Sequence, residues 1–99
     1  MNNITNRLKI TLADTRKDMC STDYKKRFKA ELQQLIIRIV KLKVIIDTYD
    51  KLAFKPLSSK KILIYQYDAM CSYLRTLEIR AEMENIDIDA ILKESFDYD

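Results

Sequence analysis

Two segments of this chain carry an unbroken seven-residue apolar repeat, and between them they cover most of its 99 residues. The first runs Phe28, Leu32, Leu35, Ile39, Leu42, Ile46, Tyr49; the second runs Leu63, Tyr67, Met70, Leu74, Leu77, Ala81. Steps of four and three alternate throughout, which is the ~3.5-residue period of two helices packed along a shared seam. The expected fold is all-α, an antiparallel helical hairpin with a short N-terminal helix and a short C-terminal helix. That architecture leaves function open, because helical hairpins of this size serve equally as ligand binders, adaptors and inhibitors.

Composition supports the helical reading. Glycine is absent and proline occurs once, at Pro56, so the primed hairpin turns that join antiparallel strands lack the glycine that they favour. The length suits a single domain. The expected elements within 1–99 are an N-terminal helical arm over 1–21, hairpin helices over 22–51 and 58–85, and a short helix over 87–96. Asn2 or Asn3 can cap the arm, Ser21 or Thr22 the first long helix, Ser58 the second and Asp87 the last. Pro56 disfavours helical geometry at Lys55 and marks the linker.

Several function classes lose support. Histidine is absent, so no side chain titrates near neutrality at its reference pKa. Cys20 and Cys71 are the only cysteines, too few for an ordinary structural zinc site within one chain and best read as free thiols. Met1–Thr11 is polar and lacks the apolar core of a signal peptide. No stretch reaches the ~20 apolar residues of a membrane span. The expected protein is soluble and cytoplasmic, with no membrane partner. There is no glycine-rich phosphate loop and no recognisable nucleophile, so no catalytic residue, metal ligand or cofactor is expected. The carboxylates Glu78, Glu82, Glu84, Asp87 and Asp89 cluster in sequence but read as a solvated face, since no histidine or matching second helical pair accompanies them.

Charge is unevenly placed. Residues 1–61 hold 15 Lys and Arg against 6 Asp and Glu, a net +9; residues 62–99 hold 3 against 9, a net −6. The halves can neutralise one another within or between chains. The basic half can also supply a phosphate pocket, from Tyr24-Lys25-Lys26-Arg27 and from Lys60-Lys61. Duplex DNA binding is disfavoured by the acidic half and by the lack of a recognition-helix pattern.

The reverse faces of the long helices are apolar as well. Ile37, Val40 and Val44 lie behind the first seam, and Ile62, Tyr65, Ala69, Ile79 and Met83 behind the second. A helix that is apolar nearly all round is buried on more than one side. The short terminal helices are too small to cover all of this surface, and the remainder predicts a homo-oligomer.

Beside the second seam, Gln66, Tyr73 and Arg80 recur every seven residues. An amide, an aromatic face and a guanidinium fork can together read a base, stack on it and grip a phosphate. The same three can equally serve as polar contacts between helices, and a tyrosine-rich helix can be core and interface.

At this point the residues resemble a known group. Tyr24-Lys25-x-Arg27-x3-Glu31-x3-Leu35, followed by Leu63-x2-Gln66-x3-Met70-x2-Tyr73-x3-Leu77-x2-Arg80, is similar to a family of small helical proteins of crAss-like and related gut-bacterial phages. The resemblance covers roughly residues 24–88. The spacing Leu63-x2-Gln66-x2-Ala69-x3-Tyr73 resembles, more faintly, the anti-CBASS cyclic-nucleotide sponges of phages, with tyrosine where tryptophan or phenylalanine is common. Those are helical hairpins that assemble and trap immune second messengers between subunits.

The resemblance implies a phage counter-defence protein, acting in the cytoplasm of the infected bacterial host. It would sequester a cyclic-oligonucleotide or ADP-ribose-type messenger without cleaving it. The expected ligand-binding residues are Tyr24, Arg27, Lys60, Lys61, Gln66, Tyr73 and Arg80. The arginines and lysines would meet phosphates, Tyr73 or Tyr24 would stack on a base, and Gln66 would read its edge. One alternative is a helical interaction protein that binds and inhibits a host protein; a weaker one is a nucleic-acid-binding accessory protein.

Overall fold

The computed structural model describes residues 7–97. Among these residues the regular elements are all helical. A 3-10 turn, Leu12–Thr15, runs into a single α-turn, α1 (Arg16–Met19). The hairpin helices are α2 (Tyr24–Asp47) and α3 (Lys60–Met83), and α4 (Ile88–Ser95) follows. A 3-10 turn, Tyr49–Lys51, lies in the connection between α2 and α3.

The helix starts show how local chemistry sets boundaries. Asp23 caps α2 by accepting from the Lys25 amide at 2.9 Å, while Ser21, one of the expected caps, braces Asp23 by accepting its amide at 3.0 Å. Ser59, one residue beyond the expected Ser58, caps α3 through the Ile62 amide. Asp87 caps α4 as its position suggests, accepting from the Ala90 amide at 3.1 Å. Each cap satisfies a donor that the first helical turn leaves free. At the end of α3 the chain needs a left-handed residue, and in the absence of glycine Asn85 supplies it with φ 58°. The amides of Asn85 and Ile86 then close onto the carbonyls of Glu82 and Ala81, and Ile86 packs on the core, the arrangement that turns a helix sharply into its successor.

The first part of the chain departs from expectation. Asn2, Asn3 and Ile4 lie outside the described residues. Leu8 is not on a helix: it forms an antiparallel bridge with Phe96, with the Lys9 amide donating to Ser95 O and the Asp97 amide to Arg7 O. Both side chains pack against the main core. The 3-10 turn Leu12–Thr15 begins where Asp14 accepts the Thr11 amide at 2.8 Å.

The two heptads form the seam. Phe28, Leu32, Leu35, Leu42 and Ile46 of α2 are buried against Leu63, Leu77 and Ala81 of α3, each large apolar side chain contributing about 2 kcal/mol by burial. One cluster centres on Phe28, Leu32 and Leu77; a second, at the linker end, holds Leu42, Ile46 and Leu63, and Met70 packs against both.

The reverse faces of the two long helices differ. Behind α2, Ile37 and Val40 are buried, because α1 and α4 flank that helix. Gln34 donates to Thr15 Oγ1 at 2.9 Å, Gln33 to Ser95 Oγ at 3.1 Å, and Lys29 bridges Asp18 at 3.0 Å and Glu94 at 2.9 Å. Behind α3, Ile62, Tyr65, Ile79 and Met83 remain exposed.

Candidate functional site

Tyr24, Arg27, Phe28 and Glu31 are spaced to share one face of the first two turns of α2. The antiparallel hairpin lays the second half of α3 beside them, and Tyr73 and Arg80 meet that face. Arg80 donates to the Tyr24 phenol, and its guanidinium lies 5.2 Å from the centre of the Phe28 ring. Its Nε stands 3.6 Å from a Glu84 carboxylate oxygen. Arg27 approaches the Tyr24 ring at 5.9 Å and donates to the Ser21 carbonyl at 2.9 Å. The Tyr73 hydroxyl donates to Glu31.

This arrangement holds a cation ready. The Tyr24 hydroxyl, first of all, and then the nearby Glu84 and Glu31 carboxylates raise the Arg80 pKa above its ordinary value. Phe28 offers the guanidinium its π face, and the hydroxyl and carboxylate fix its plane. Arginine has five N–H donors, so donors remain for an incoming oxyanion, which would compete with Glu84. Tyr24 and Tyr73 are 42% and 43% exposed and offer aromatic surface on which a planar group can stack.

The remaining expected residues stand elsewhere in the subunit. Lys60 lies at the opposite end of α3, about 30 Å from Arg80 at the helical rise, and pairs with Asp50 at 3.7 Å. Lys61 sits beside it, and Gln66 lies on the exposed edge below Tyr73. A rigid helix cannot fold these residues back, so one subunit assembles Tyr24, Arg27, Tyr73 and Arg80 and leaves Lys60, Lys61 and Gln66 apart.

Three contributors were not legible as site residues. Phe28 carries the seam, and its spacing hid the ring face that it turns to Arg80. Glu31 stood in the quoted motif without a role. Glu84 is four residues from Arg80, a spacing that suits a helical ion pair. No group of three or more His, Cys, Asp or Glu among the described residues is placed to hold a metal ion. Two grooves lie away from this cluster. One, about 260 Å³, is apolar, between Ile36, Val40, Leu74, Leu92 and Phe96; the other, about 530 Å³, has mixed charge from Lys9, Lys93, Asp89 and Asp97. No described helix is long and apolar enough to cross a membrane.

The family model described as Sequestin matches residues 22–83, well over half of the chain, from just before α2 to the end of α3. The matched span contains every residue of the Tyr24–Arg80 cluster except Glu84. No curated protein matches the chain, and no solved structure matches it.

Proposed function

We propose, from the premise that the chain belongs to the Sequestin family, that it binds and sequesters a nucleotide immune second messenger without cleaving it. The family name denotes sequestration rather than catalysis, and retention by binding alone asks for no catalytic group. The messenger is a cyclic oligonucleotide or an ADP-ribose-type signal, and the setting is phage counter-defence in the cytoplasm of an infected bacterium.

One observation carries the reading: Tyr24, Arg27 and Arg80 converge at one end of the hairpin, with Arg80 oriented by Tyr24, Phe28 and Glu84 and with Tyr73 two turns along, bonded to Glu31. The Arg80 fork takes a phosphate, Arg27 supplies a second positive charge, and Tyr24 or Tyr73 stacks on the base. A guanidinium already held in place loses little freedom on binding, which favours slow release. Homo-oligomeric assembly encloses the ligand, and it brings Lys60 and Gln66 into play from other subunits.

The test is calorimetry of the whole protein against cyclic di- and trinucleotides and ADP-ribose derivatives. The expected result is tight binding of one class, with the ligand recovered unchanged after heat release of the complex. Absence of heat from every member of the panel, with the fold intact, rejects the reading.

A further inference from the structure

The exposed back of α3 has a symmetry that the seam does not require. Its stripe reads Ile62, Tyr65, Ala69, Ser72, Thr76, Ile79, Met83: two bulky apolar residues at each end and three small ones between. The bulky members are 51%, 73%, 60% and 77% exposed in chain order, and no charged residue interrupts them.

The two borders of the stripe are also periodic. Along one, Lys61, Asp68, Arg75 and Glu82 follow at intervals of seven with alternating sign. All four are exposed, and none forms a salt bridge among the described residues. Along the other run Gln66, Tyr73 and Arg80.

We propose that two copies of the chain pair through this face, with their α3 helices antiparallel about a two-fold axis beside Ser72. In that pairing Ile62 meets Met83 of the partner subunit and Tyr65 meets the partner's Ile79. The small residues cross at the axis, where the backbones approach most closely. An antiparallel two-fold keeps each border on its own side, so Lys61 faces the partner's Glu82 and Asp68 faces the partner's Arg75. A parallel pairing sets the charged border against Gln66, Tyr73 and Arg80 and leaves the alternation unmatched. Stripe and charged border are thus self-complementary under one operation, as an isologous interface requires, and flanking charges of this kind select orientation. A second copy is the occupant for that reason, since a foreign protein would impose no such palindrome.

The other border gives the pairing a consequence for the site, resting on the ligand reading above. The two-fold sets Tyr73 beside the partner's Tyr73 and places Gln66 level with the partner's Arg80. Gln66, remote from Arg80 within a subunit, thereby completes the site of the other subunit, and each dimer holds two such shared sites.

The interface is tested without ligand. Sedimentation of the wild type is expected to show a dimer, Asp68→Lys to abolish it, and Asp68→Lys with Arg75→Asp to restore it. Ser72→Cys, placed in a Cys20→Ser, Cys71→Ser background, is expected to give a disulfide-linked dimer on mild oxidation. A wild-type monomer at all concentrations, a dimer indifferent to Asp68→Lys, or failure of Ser72→Cys to cross-link overturns the pairing. A host protein captured on the same face of a monomer does so as well.

The shared site is tested by mixing Arg80→Ala with Gln66→Ala protein, using cyclic di-AMP and ADP-ribose as calorimetric probes. Each variant alone binds poorly, while random exchange of subunits restores about a quarter of the wild-type sites. No restoration places the whole site within one subunit and overturns the role of Gln66. A cross-linked, charge-dependent dimer that binds neither probe supports the interface and rejects the role of Gln66 towards these nucleotides.

Discussion

Arg80 donates to the phenol of Tyr24, 56 residues earlier, and this bond ties the end of α3 to the beginning of α2. It joins two surface side chains that sequence spacing alone could not pair. It also sets the plane of the guanidinium that the proposed ligand meets.

Arg80→Lys is expected to keep the helical fold and to lose about 100-fold in affinity for the best-binding nucleotide, because an ammonium is a point charge without a planar fork. Tyr24→Phe keeps the ring and removes only the hydroxyl that orients Arg80, so the expected loss is about tenfold. Titration calorimetry checks both. Equal losses for the two variants would mean that the hydroxyl contacts the ligand itself.

Lys29 clamps α1 and α4 to α2, and its pKa lies above the ordinary 10.5, through its hydrogen bond to Glu94 first and then through Asp18. Folding therefore favours the charged amine. Its contribution is complete below 10.5 and fades as pH rises through the higher folded value. Tyr67, whose pKa burial chiefly raises above 10.0, contributes in the same direction over a neighbouring window. Urea midpoints are expected to fall at strongly alkaline pH, less steeply for Lys29→Met and for Tyr67→Phe. At neutral pH Lys29→Met costs about 1 kcal/mol. An alkaline slope unchanged in Lys29→Met would contradict the clamp.

Leu77 and Ile79 lie two residues apart on α3 with opposite surroundings, the first fully buried and the second on the uncovered back. Leu77→Ala opens a cavity beside Phe28 and Leu32 and is expected to cost about 3 kcal/mol. Ile79→Ala is expected to change unfolding of the dilute subunit by no more than about 0.5 kcal/mol. Its effect belongs to the concentration-dependent part of the melting curve, where association contributes. Thermal melts at several protein concentrations separate the two.

The hairpin was legible because its signal is redundant. Thirteen seam positions repeat one period, and no local exception can shift all of them. Helix ends were legible only to about four residues: the first long helix stops at Asp47, not at 51, and at its start Ser21, Thr22 and Asp23 are all capable caps among which the geometry of the first turn chooses. Leu8 was misread as helical because its pairing with Phe96 spans nearly the whole chain, and periodicity within a window carries no trace of such a contact.

Sequence by itself determined that two helices share a seam, that their backs are apolar, and that Gln66, Tyr73 and Arg80 border the second. These are periodic properties, and a helix turns period into direction without reference to the rest of the chain. Tertiary structure decided which back is covered: α1 and α4 both settle on α2, so the apolar surface of α3 remains free. It also decided which site residues meet. Tyr24 and Arg80 come together because the antiparallel turn places the start of one helix at the end of the other, and Lys60 stays distant because a helix of this length is a rigid rod.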